Sequence, residues 1–485
     1  MELTEVKQKT KRGVFWNTFE KFSVQIIGFI MNIILARLLT PGDYGTIGLL
    51  TVFITLSNVF IESGFIKALI QNQSRTEKDL STVFFLNLFI SFALYLALYF
   101  LAPLLAKFYK IPLLTDYSRI LFLILIFNAL TIVQNTILQI KIEFKKIAFV
   151  NVFATFISGL IGIICACNGY GAWSIVIKSL ANIGIACVLF LIVGKWVPHS
   201  FFSYTSFKKL FGFSSKLLAG RILSETHRFV NNLIIGKTFS TSDLGVYTRS
   251  QQFPELISGT LNTVIGGTTF PLLSTLQNDK TELIDTLKKM ICLTGVVIFP
   301  LMFGLSALSK PLITLLLGEK WIAVIPYLQI LAVSYVFLPI NCLNANVLQV
   351  TNNAGKYLII LIFNFFIKII TMIITVRISL YAVVVGQFIN SVIYYLLVVF
   401  LIGFLFGFGF LKQLKCILPY FIVSLIMFGL ILSVNSFISS DLLKLIIGFL
   451  IGVIFYISAS YLIRDEYFLM LVNGILKKRT PDRID

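Results

Sequence analysis

The chain has 485 residues, of which 58% are hydrophobic and 13% are charged, and its formal net charge is +19. Soluble domains of comparable length have about 25% charged residues, so this composition excludes an ordinary soluble protein. The basic residues are dispersed along the chain with no soluble domain to gather them, which argues against a nucleic-acid-binding protein.

Predominantly apolar segments of roughly 20 to 30 residues recur along the chain, each long enough to cross a hydrocarbon core of about 30 Å. No segment shows the alternation over about ten residues that is typical of membrane β-strands. The sequence therefore predicts an all-α polytopic membrane protein with about 14 transmembrane helices, numbered here as spans 1 to 14. The spans are predicted to begin near Gly13, Asp43, Asp79, Leu114, Ile147, Gly171, Phe207, Thr241, Leu283, Ile322, Gly355, Leu380, Leu414 and Asp441.

Lysine and arginine residues are concentrated in alternate loops, and this predicts the orientation of the spans. Four of them, Lys7, Lys9, Lys11 and Arg12, precede span 1. Further clusters lie at residues 67–78, 141–146, 195–209, 280–289, 412–415 and 477–483. Because cytoplasmic loops of membrane proteins carry an excess of Lys and Arg, both termini are predicted to be cytoplasmic. The same charges attract anionic membrane lipids.

The cysteines and histidines do not form a recognisable catalytic or metal-binding pattern. The two histidines are His199 and His227, and the sequence contains no phosphate-binding G-x-x-x-x-G-K, no H-E-x-x-H and no nucleophile elbow. We therefore expect no catalytic residues, no metal site, no cofactor and no enzymatic activity. A membrane enzyme such as a glycosyltransferase, or a scaffold, is the alternative, but the predicted outer loops are short and poor in acidic residues. The six cysteines lie in or beside spans, as Cys165, Cys167, Cys187, Cys292, Cys342 and Cys416.

Two internal similarities suggest a duplicated chain. RLLTPGDYGTIGL and KTFSTSDLGVYTR are offset by 200 residues, so that Asp43 and Gly45 correspond to Asp243 and Gly245. A second pair of segments, starting at residues 119 and 329, has an offset of 210. Parallel repeats of this kind recur in transporters. Chance similarity between apolar segments is the alternative.

The repeat predicts four parts of the chain. Spans 1 to 6 form an N-terminal six-helix lobe over residues 1–200, and spans 7 to 12 form a C-terminal six-helix lobe over residues 201–411. Spans 13 and 14 occupy residues 412–463, and a cytoplasmic tail follows at 464–485.

Polar side chains share one helix face in each of spans 1, 2, 7 and 8. A charge in the hydrocarbon core costs at least about 2.5–3.5 kcal/mol, so such groups normally face a partner or a wet cavity. We predict that these spans line a central cavity. The predicted substrate-binding residues are Asn17, Lys21, Asn58, Arg221, Arg228, Asn232 and Gln252, and the predicted coupling or orienting carboxylates are Glu20, Glu62, Glu225 and Glu255.

Structural roles are the competing interpretation for several of these residues. Arg221 and Glu225 are four residues apart and could form an intrahelical ion pair. Glu20 and Lys21 lie within two or three turns of the cytoplasmic end, where long side chains reach the interface. Arg249 points away from Glu255 and ranks below the cavity residues.

Two more basic residues, Lys178 and Lys368, stand isolated in apolar spans.

Four short motifs resemble a known family. They are ARLLTPGDYG after span 1, FGFSSKLL at the start of span 7, GVYTR after the corresponding turn, and LLLGEKW before span 10. Together with the two-lobe pattern, they resemble the polysaccharide-transport branch of the multidrug/oligosaccharidyl-lipid/polysaccharide (MOP) exporter superfamily. The likeness is to Wzx-type flippases similar to colanic-acid and teichuronic-acid exporters.

The resemblance implies an alternating-access flippase in the bacterial cytoplasmic (inner) membrane. Its substrate would be an undecaprenyl-pyrophosphate-linked glycan, an O-antigen, capsule or exopolysaccharide repeat unit carried from the cytoplasmic to the periplasmic leaflet. The family also implies a dependence on cationic cavity residues, which in this chain correspond by span to Lys21, Arg221 and Arg228. Polymerase and glycosyltransferase neighbours are expected.

Two other activities of the same superfamily stay open, a cation-coupled small-molecule or drug exporter and a flippase for a peptidoglycan lipid precursor. H⁺ or Na⁺ is a candidate coupling ion. Glu62 and Glu255 have no basic residue one turn away, so they are the predicted titrating or cation-binding groups. Glu225 lies beside Arg221 and Arg228 and is predicted to stay ionised and to orient them.

Overall fold

The computed structural model describes residues 3–62, 65–71, 74–208, 225 and 229–477. Long helices joined by short connections make up this part of the chain, and it contains no β-strand. The helices are α1 (Leu3–Leu38), α2 (Pro41–Glu62), α3 (Phe65–Gln71), α4 (Glu77–Tyr109), α5 (Leu114–Leu121), α6 (Ile124–Ile140), α7 (Phe144–Cys167), α8 (Ala172–Gly194), α9 (Thr241–Thr275), α10 (Lys280–Ala307), α11 (Ser309–Leu316), α12 (Val324–Ser334), α13 (Phe337–Val350), α14 (Ala354–Thr375), α15 (Leu380–Phe406), α16 (Phe410–Ser436), α17 (Asp441–Leu462) and α18 (Glu466–Lys477).

Twelve stretches of the described chain are helical, long and apolar enough to cross a membrane. They correspond to spans 1–6 and 9–14, which confirms the all-α polytopic fold. Most of span 7 lies outside the described residues, apart from residues 207–208, residue 225 and helical residues 229–238. Span 8 is present as the 35-residue helix α9, which is long enough to cross a bilayer but too polar to count among the twelve.

Spans 4 and 10 are both interrupted helices. α5 and α6 together form the span Leu114–Ile140, and α12 and α13 form the span Val324–Val350. Both the starts and the ends of these two spans are 210 residues apart, which is the offset of the second sequence similarity. The structure therefore reproduces this part of the sequence repeat at the level of helix boundaries.

The chain divides into two compact units, Met1–Gly245 and Val246–Asp485. The lobe boundaries predicted from the repeat, at residues 200 and 411, stay a prediction. In the N-terminal unit, α7 packs between α1 and α8, and a second group of contacts joins α4, α6 and α8. Fully buried aliphatic side chains, including Leu50, Leu125 and Val176, form the core between these helices.

In the C-terminal unit, α10 packs along α16, and α14 packs along α15. Polar side chains connect these apolar helices at a few buried positions. The amides of Asn344 on α13 and Gln413 on α16 pair reciprocally, with N···O distances of 3.2 and 2.9 Å. The Tyr456 hydroxyl donates to the carbonyl oxygen of Val296 at 2.8 Å. Buried polar groups in a bilayer need such partners, since no water is available to them.

Candidate functional site

The two repeat-related turns contact each other through their glycines. A Cβ atom placed on Gly45 would lie 1.7 Å from the carbonyl oxygen of Thr241, and one placed on Gly245 would lie 1.9 Å from that of Pro41. Both distances are far shorter than any van der Waals contact, so only glycine fits at either position. The contact is reciprocal, as a pair of duplicated elements would produce, and all four residues belong to the N-terminal unit.

Both turns have the same hydrogen-bonded cap. Asp43 accepts from the Thr40 hydroxyl at 2.7 Å and from the Thr40 backbone N–H at 2.9 Å. Asp243 accepts in the same way from Ser240, at 2.7 and 3.1 Å. Such caps satisfy amide groups that the first turn of a helix leaves unpaired. The shared aspartates of the sequence repeat therefore correspond to a shared start of α2 and α9.

A lysine next to the second turn adds a further contact. Lys237 donates from Nζ to the carbonyl oxygen of Phe108 at 2.5 Å and lies 3.7 Å from the centre of the Phe108 ring. Phe108 is near the end of α4. The end of span 7 is thereby joined to the end of span 3 on the side that the charge pattern predicts to be periplasmic.

Two predicted cavity residues of the N-terminal unit pair with neighbouring helices. Glu20 accepts a hydrogen bond from Asn151 on α7 at 2.6 Å, and Asn58 accepts one from Asn128 on α6 at 3.1 Å. Lys21 is exposed. Glu20 and Asn58 thus hold helices of this unit together, a role that their side-chain pattern did not indicate.

Three further predicted residues of the N-terminal unit lie on spans 1, 2 and 7. Asn17, Glu62 and Asn232 are half-buried. Glu62 takes part in polar interactions and is not a free carboxylate.

The two arginines that carry most of the predicted function, Arg221 and Arg228, lie outside the described residues. Glu225 between them is half-buried, and its Oε2 atom is buried and accepts no hydrogen bond from the described part of the chain. Their predicted cooperation with Glu225 therefore stays a prediction.

Arg249 is the residue that sequence reasoning ranked too low. It is 7% exposed, donates to Gln252, and places its guanidinium carbon 5.7 Å from the centre of the fully buried Trp321 ring. Arg249 ends the GVYTR motif and Trp321 ends the LLLGEKW motif, so the fold joins two of the motifs that carried the resemblance. That shared membership is the signal that could have identified the pair.

Gln252, a predicted binding residue, is therefore the partner of a buried arginine. One turn earlier on α9, the Tyr247 hydroxyl donates to Gln387 of α15 at 2.6 Å, and Gln251 donates to that hydroxyl at 2.9 Å. Glu255 is half-buried and also takes part in polar interactions. Tyr247 and Gln251 therefore connect the polar face of α9 to Gln387 on α15.

The interpretation of Lys178 as isolated is wrong. Its ammonium donates to Asn32 of α1 at 2.6 Å, and Asn182, one turn further along α8, donates to Ser158 of α7 at 3.1 Å. Residues far apart in sequence supply these partners, so the pattern within span 6 alone could not reveal them. Lys368 likewise has an interaction partner.

The fold and these polar contacts are typical of a membrane transport protein. An all-helical chain with twelve membrane-spanning stretches carries hydrogen-bonded polar residues within its spans, and no metal-binding cluster occurs among the residues described here. Polar groups at membrane depth are typical of transport proteins.

The comparisons with known proteins identify the family. A family model described as polysaccharide biosynthesis protein matches residues 34–326, more than half of the chain. The chain belongs to this family, and its twelve apolar helical stretches make it a multi-pass membrane protein.

Two curated relatives and one solved structure are similar to the chain. The teichuronic acid biosynthesis protein TuaB of Bacillus subtilis (strain 168) is 24% identical over 68% of this chain and 69% of its own length. The lipopolysaccharide biosynthesis protein WzxC of Escherichia coli (strain K12) is 23% identical over 68% and 67%. The lipid II flippase MurJ, in an inward closed conformation, aligns with a TM-score of 0.76 and 19% identity over 93% of this chain and 99% of its own. That likeness shows a shared fold.

Proposed function

We propose that this protein is a flippase that moves undecaprenyl-pyrophosphate-linked oligosaccharide repeat units from the cytoplasmic to the periplasmic leaflet of the bacterial cytoplasmic membrane. The observation that carries the proposal is the family match over residues 34–326. This region includes both glycine turns and three of the four spans with a polar face. The names of TuaB and WzxC, which refer to teichuronic acid and lipopolysaccharide, point to a glycan.

The predicted cavity suits such a substrate. Its headgroup is a charged pyrophosphate with sugars attached, and it has to cross about 30 Å of hydrocarbon. Arginine binds phosphate through two parallel hydrogen bonds, which is the role proposed for Arg221 and Arg228, with Lys21 as a third cation. Asn17, Asn58, Asn232 and Gln252 are proposed to bind sugar hydroxyls, while the polyprenyl chain stays in lipid.

The glycine turns are proposed to be the outer closure of the transport path. Both turns lie at the predicted periplasmic ends of their spans, with both termini in the cytoplasm. Because the backbones touch at Gly45 and Gly245, the turns have to separate before a headgroup can pass between them. Transport by alternating access then includes one step that breaks this contact.

An inward flow of H⁺ or Na⁺ is the proposed source of energy, with polymerisation of the product as a further sink. Glu62 and Glu255 are proposed to carry the ion, and Glu225 to orient the arginines of span 7. A polymerase and glycosyltransferases are the expected neighbours in the pathway.

Deletion of the gene tests the proposal. We expect lipid-linked repeat units to accumulate in the cytoplasmic leaflet, where an impermeant glycan-modifying reagent added to spheroplasts does not reach them. A plasmid copy of the gene should restore their modification by the reagent. Repeat units that reach the outer face at the normal rate in the deletion strain would contradict it.

A peptidoglycan lipid-precursor flippase is the second candidate, favoured by the fold shared with MurJ over 93% of this chain. Expression of this protein in cells depleted of their own flippase for that precursor separates the two. Growth rescue supports the second candidate, and lysis together with a positive deletion test supports the first.

A further inference from the structure

Arg119 on α5 is a cation in a predicted span that has an aromatic partner and, among the described residues, no anionic one. Its guanidinium carbon lies 4.3 Å from the centre of the Tyr99 ring on α4. Its Nε atom is buried and has no hydrogen-bond partner in the part of the chain that the structure describes. Within the described ranges, Arg119 forms no ion pair, and the nearest acidic residue in sequence, Asp116, is exposed one turn away.

The ring contact leaves room for an anion beside this guanidinium. A charge at the centre of a transmembrane helix costs at least about 2.5–3.5 kcal/mol, and Arg119, which lies near a predicted helix end, incurs less than that. A cation–π contact is worth about 0.5–1 kcal/mol at an exposed site and about 2 when it is desolvated, and it supplies no acceptor for the N–H groups of the guanidinium. The guanidinium keeps its planar set of N–H donors, which match two oxygens of a phosphate group.

The position of Arg119 indicates that the anion belongs to a lipid. It lies five residues after the start of α5, about 7.5 Å along the helix axis from the predicted periplasmic end. Its sequence neighbour Ile120 is 39% exposed, and Phe100 beside Tyr99 is 72% exposed. In a membrane protein such exposed apolar side chains face acyl chains, and Arg119 beside them is itself only half-buried.

We propose that Arg119 and Tyr99 form a binding site for the phosphate group of a lipid at the predicted periplasmic end of span 4. The guanidinium binds the phosphate oxygens, the Tyr99 ring holds the guanidinium flat, and the exposed faces of α4 and α5 contact the hydrophobic chain. The same chemistry fits a glycerophospholipid and a polyprenyl pyrophosphate. The polyprenyl case rests on the proposed function, and the phospholipid case does not.

Arg377 supplies a matched control. It follows α14 at another predicted periplasmic end, is exposed, and has no ring contact among the described residues. If Arg119 merely reached toward headgroups as long basic side chains do, the two arginines would contribute equally to lipid binding.

Lipid binding by the full-length protein tests the site. The protein is placed in phosphatidylcholine nanodiscs, titrated separately with phosphatidylglycerol and with undecaprenyl pyrophosphate, and the retained lipids are counted by native mass spectrometry. We expect Arg119→Gln to weaken binding of at least one of the two by about tenfold, as loss of a charge-assisted pair implies. The lipid affinity of Arg119→Lys should lie between that of the wild type and that of Arg119→Gln, because lysine keeps the charge and loses the bidentate geometry.

The ring is tested independently. Tyr99→Phe should bind as the wild type does, and Tyr99→Leu should weaken binding about threefold, since only the latter removes the aromatic face. Tyr99→Leu keeps the test valid if Arg119→Gln does not yield folded protein, as judged by gel filtration.

Each pattern of results has one meaning. If Arg119→Gln loses binding of undecaprenyl pyrophosphate alone, or of phosphatidylglycerol alone, the result supports the site and identifies its ligand. Unchanged binding of both lipids by Arg119→Gln, or an equal loss in Arg377→Gln, overturns it. Failure of the gene-deletion test with loss of phosphatidylglycerol binding would reject the flippase and keep the site.

Discussion

Gly45 and Gly245 show how much a single residue can decide at a close backbone contact. Neither has a positive φ, so each is required by space rather than by backbone conformation. Each Cβ position is occupied by the carbonyl oxygen of the opposite turn, which cannot move aside as a flexible side chain would.

Alanine at Gly45 or Gly245 is therefore expected to force the two turns apart. Overpacking of this kind typically costs about 1–3 kcal/mol. We expect lower thermal stability in detergent and impaired glycan export, whereas Gly259→Ala on α9, where a Cβ meets nothing within 4 Å, should keep both. Equal stability of all three variants would show that the contact contributes nothing.

Arg221 and Arg228 are expected to be essential for export and dispensable for folding. Replacement of either by alanine removes a phosphate contact, and lysine should restore only part of the activity because it cannot bind bidentately. The measurements are surface glycan and the amount of protein in the membrane. Normal export by the double alanine variant at normal protein levels would reject the cavity assignment.

Glu62, Glu225 and Glu255 are expected to differ in what they do for transport. Glu62→Gln or Glu255→Gln should abolish the response of flux to an ion gradient, whereas Glu225→Gln should weaken substrate binding. Flux of a lipid-linked oligosaccharide into proteoliposomes is measured under imposed pH and sodium gradients. Wild-type flux that does not depend on either gradient would show that these carboxylates have a structural role.

At the scale of helices, side-chain pairs between apolar elements maintain the packing. Lys178 with Asn32, Glu20 with Asn151, and the amide pair of Asn344 and Gln413 each join two helices. Between apolar helices in lipid, association depends on close packing and on such hydrogen bonds rather than on the hydrophobic effect.

The amide pair offers a direct measurement of that contribution. Gln413 and Asn344 are both fully buried, so Gln413→Leu leaves the Asn344 amide without this partner and should lower stability by about 1–3 kcal/mol. The double variant with Asn344→Leu should be more stable than the sum of the single changes predicts, as measured by unfolding in mixed micelles. Simple additivity would show that the two amides do not interact.

At the scale of the whole molecule, the alternation of loops that are rich and poor in Lys and Arg predicts a complete topology. Reporter fusions in the basic loops should read as cytoplasmic and fusions in the others as periplasmic, because translocation of Lys-rich and Arg-rich loops is disfavoured. The cytoplasmic positions are Lys78, Lys146, Lys209, Lys289 and Lys415, and the periplasmic positions are Asp43, Gly169, Ser242 and Ser439. An odd number of crossings between two successive cytoplasmic positions would contradict the two-lobe arrangement.

The sequence by itself determined the fold class, most span boundaries and the repeat, because hydrophobic length and turn residues are local properties of a chain. α15 and α17, for example, begin at the predicted residues Leu380 and Asp441. The partners of polar side chains were decided by tertiary structure alone. Helical periodicity shows which face carries a polar group, but it cannot show which distant helix lies against that face. The sequence pattern therefore left Lys178 isolated, ranked Arg249 below the cavity residues and gave Glu20 no partner on another helix. Packing brings Asn32, Trp321 and Asn151 against these three residues.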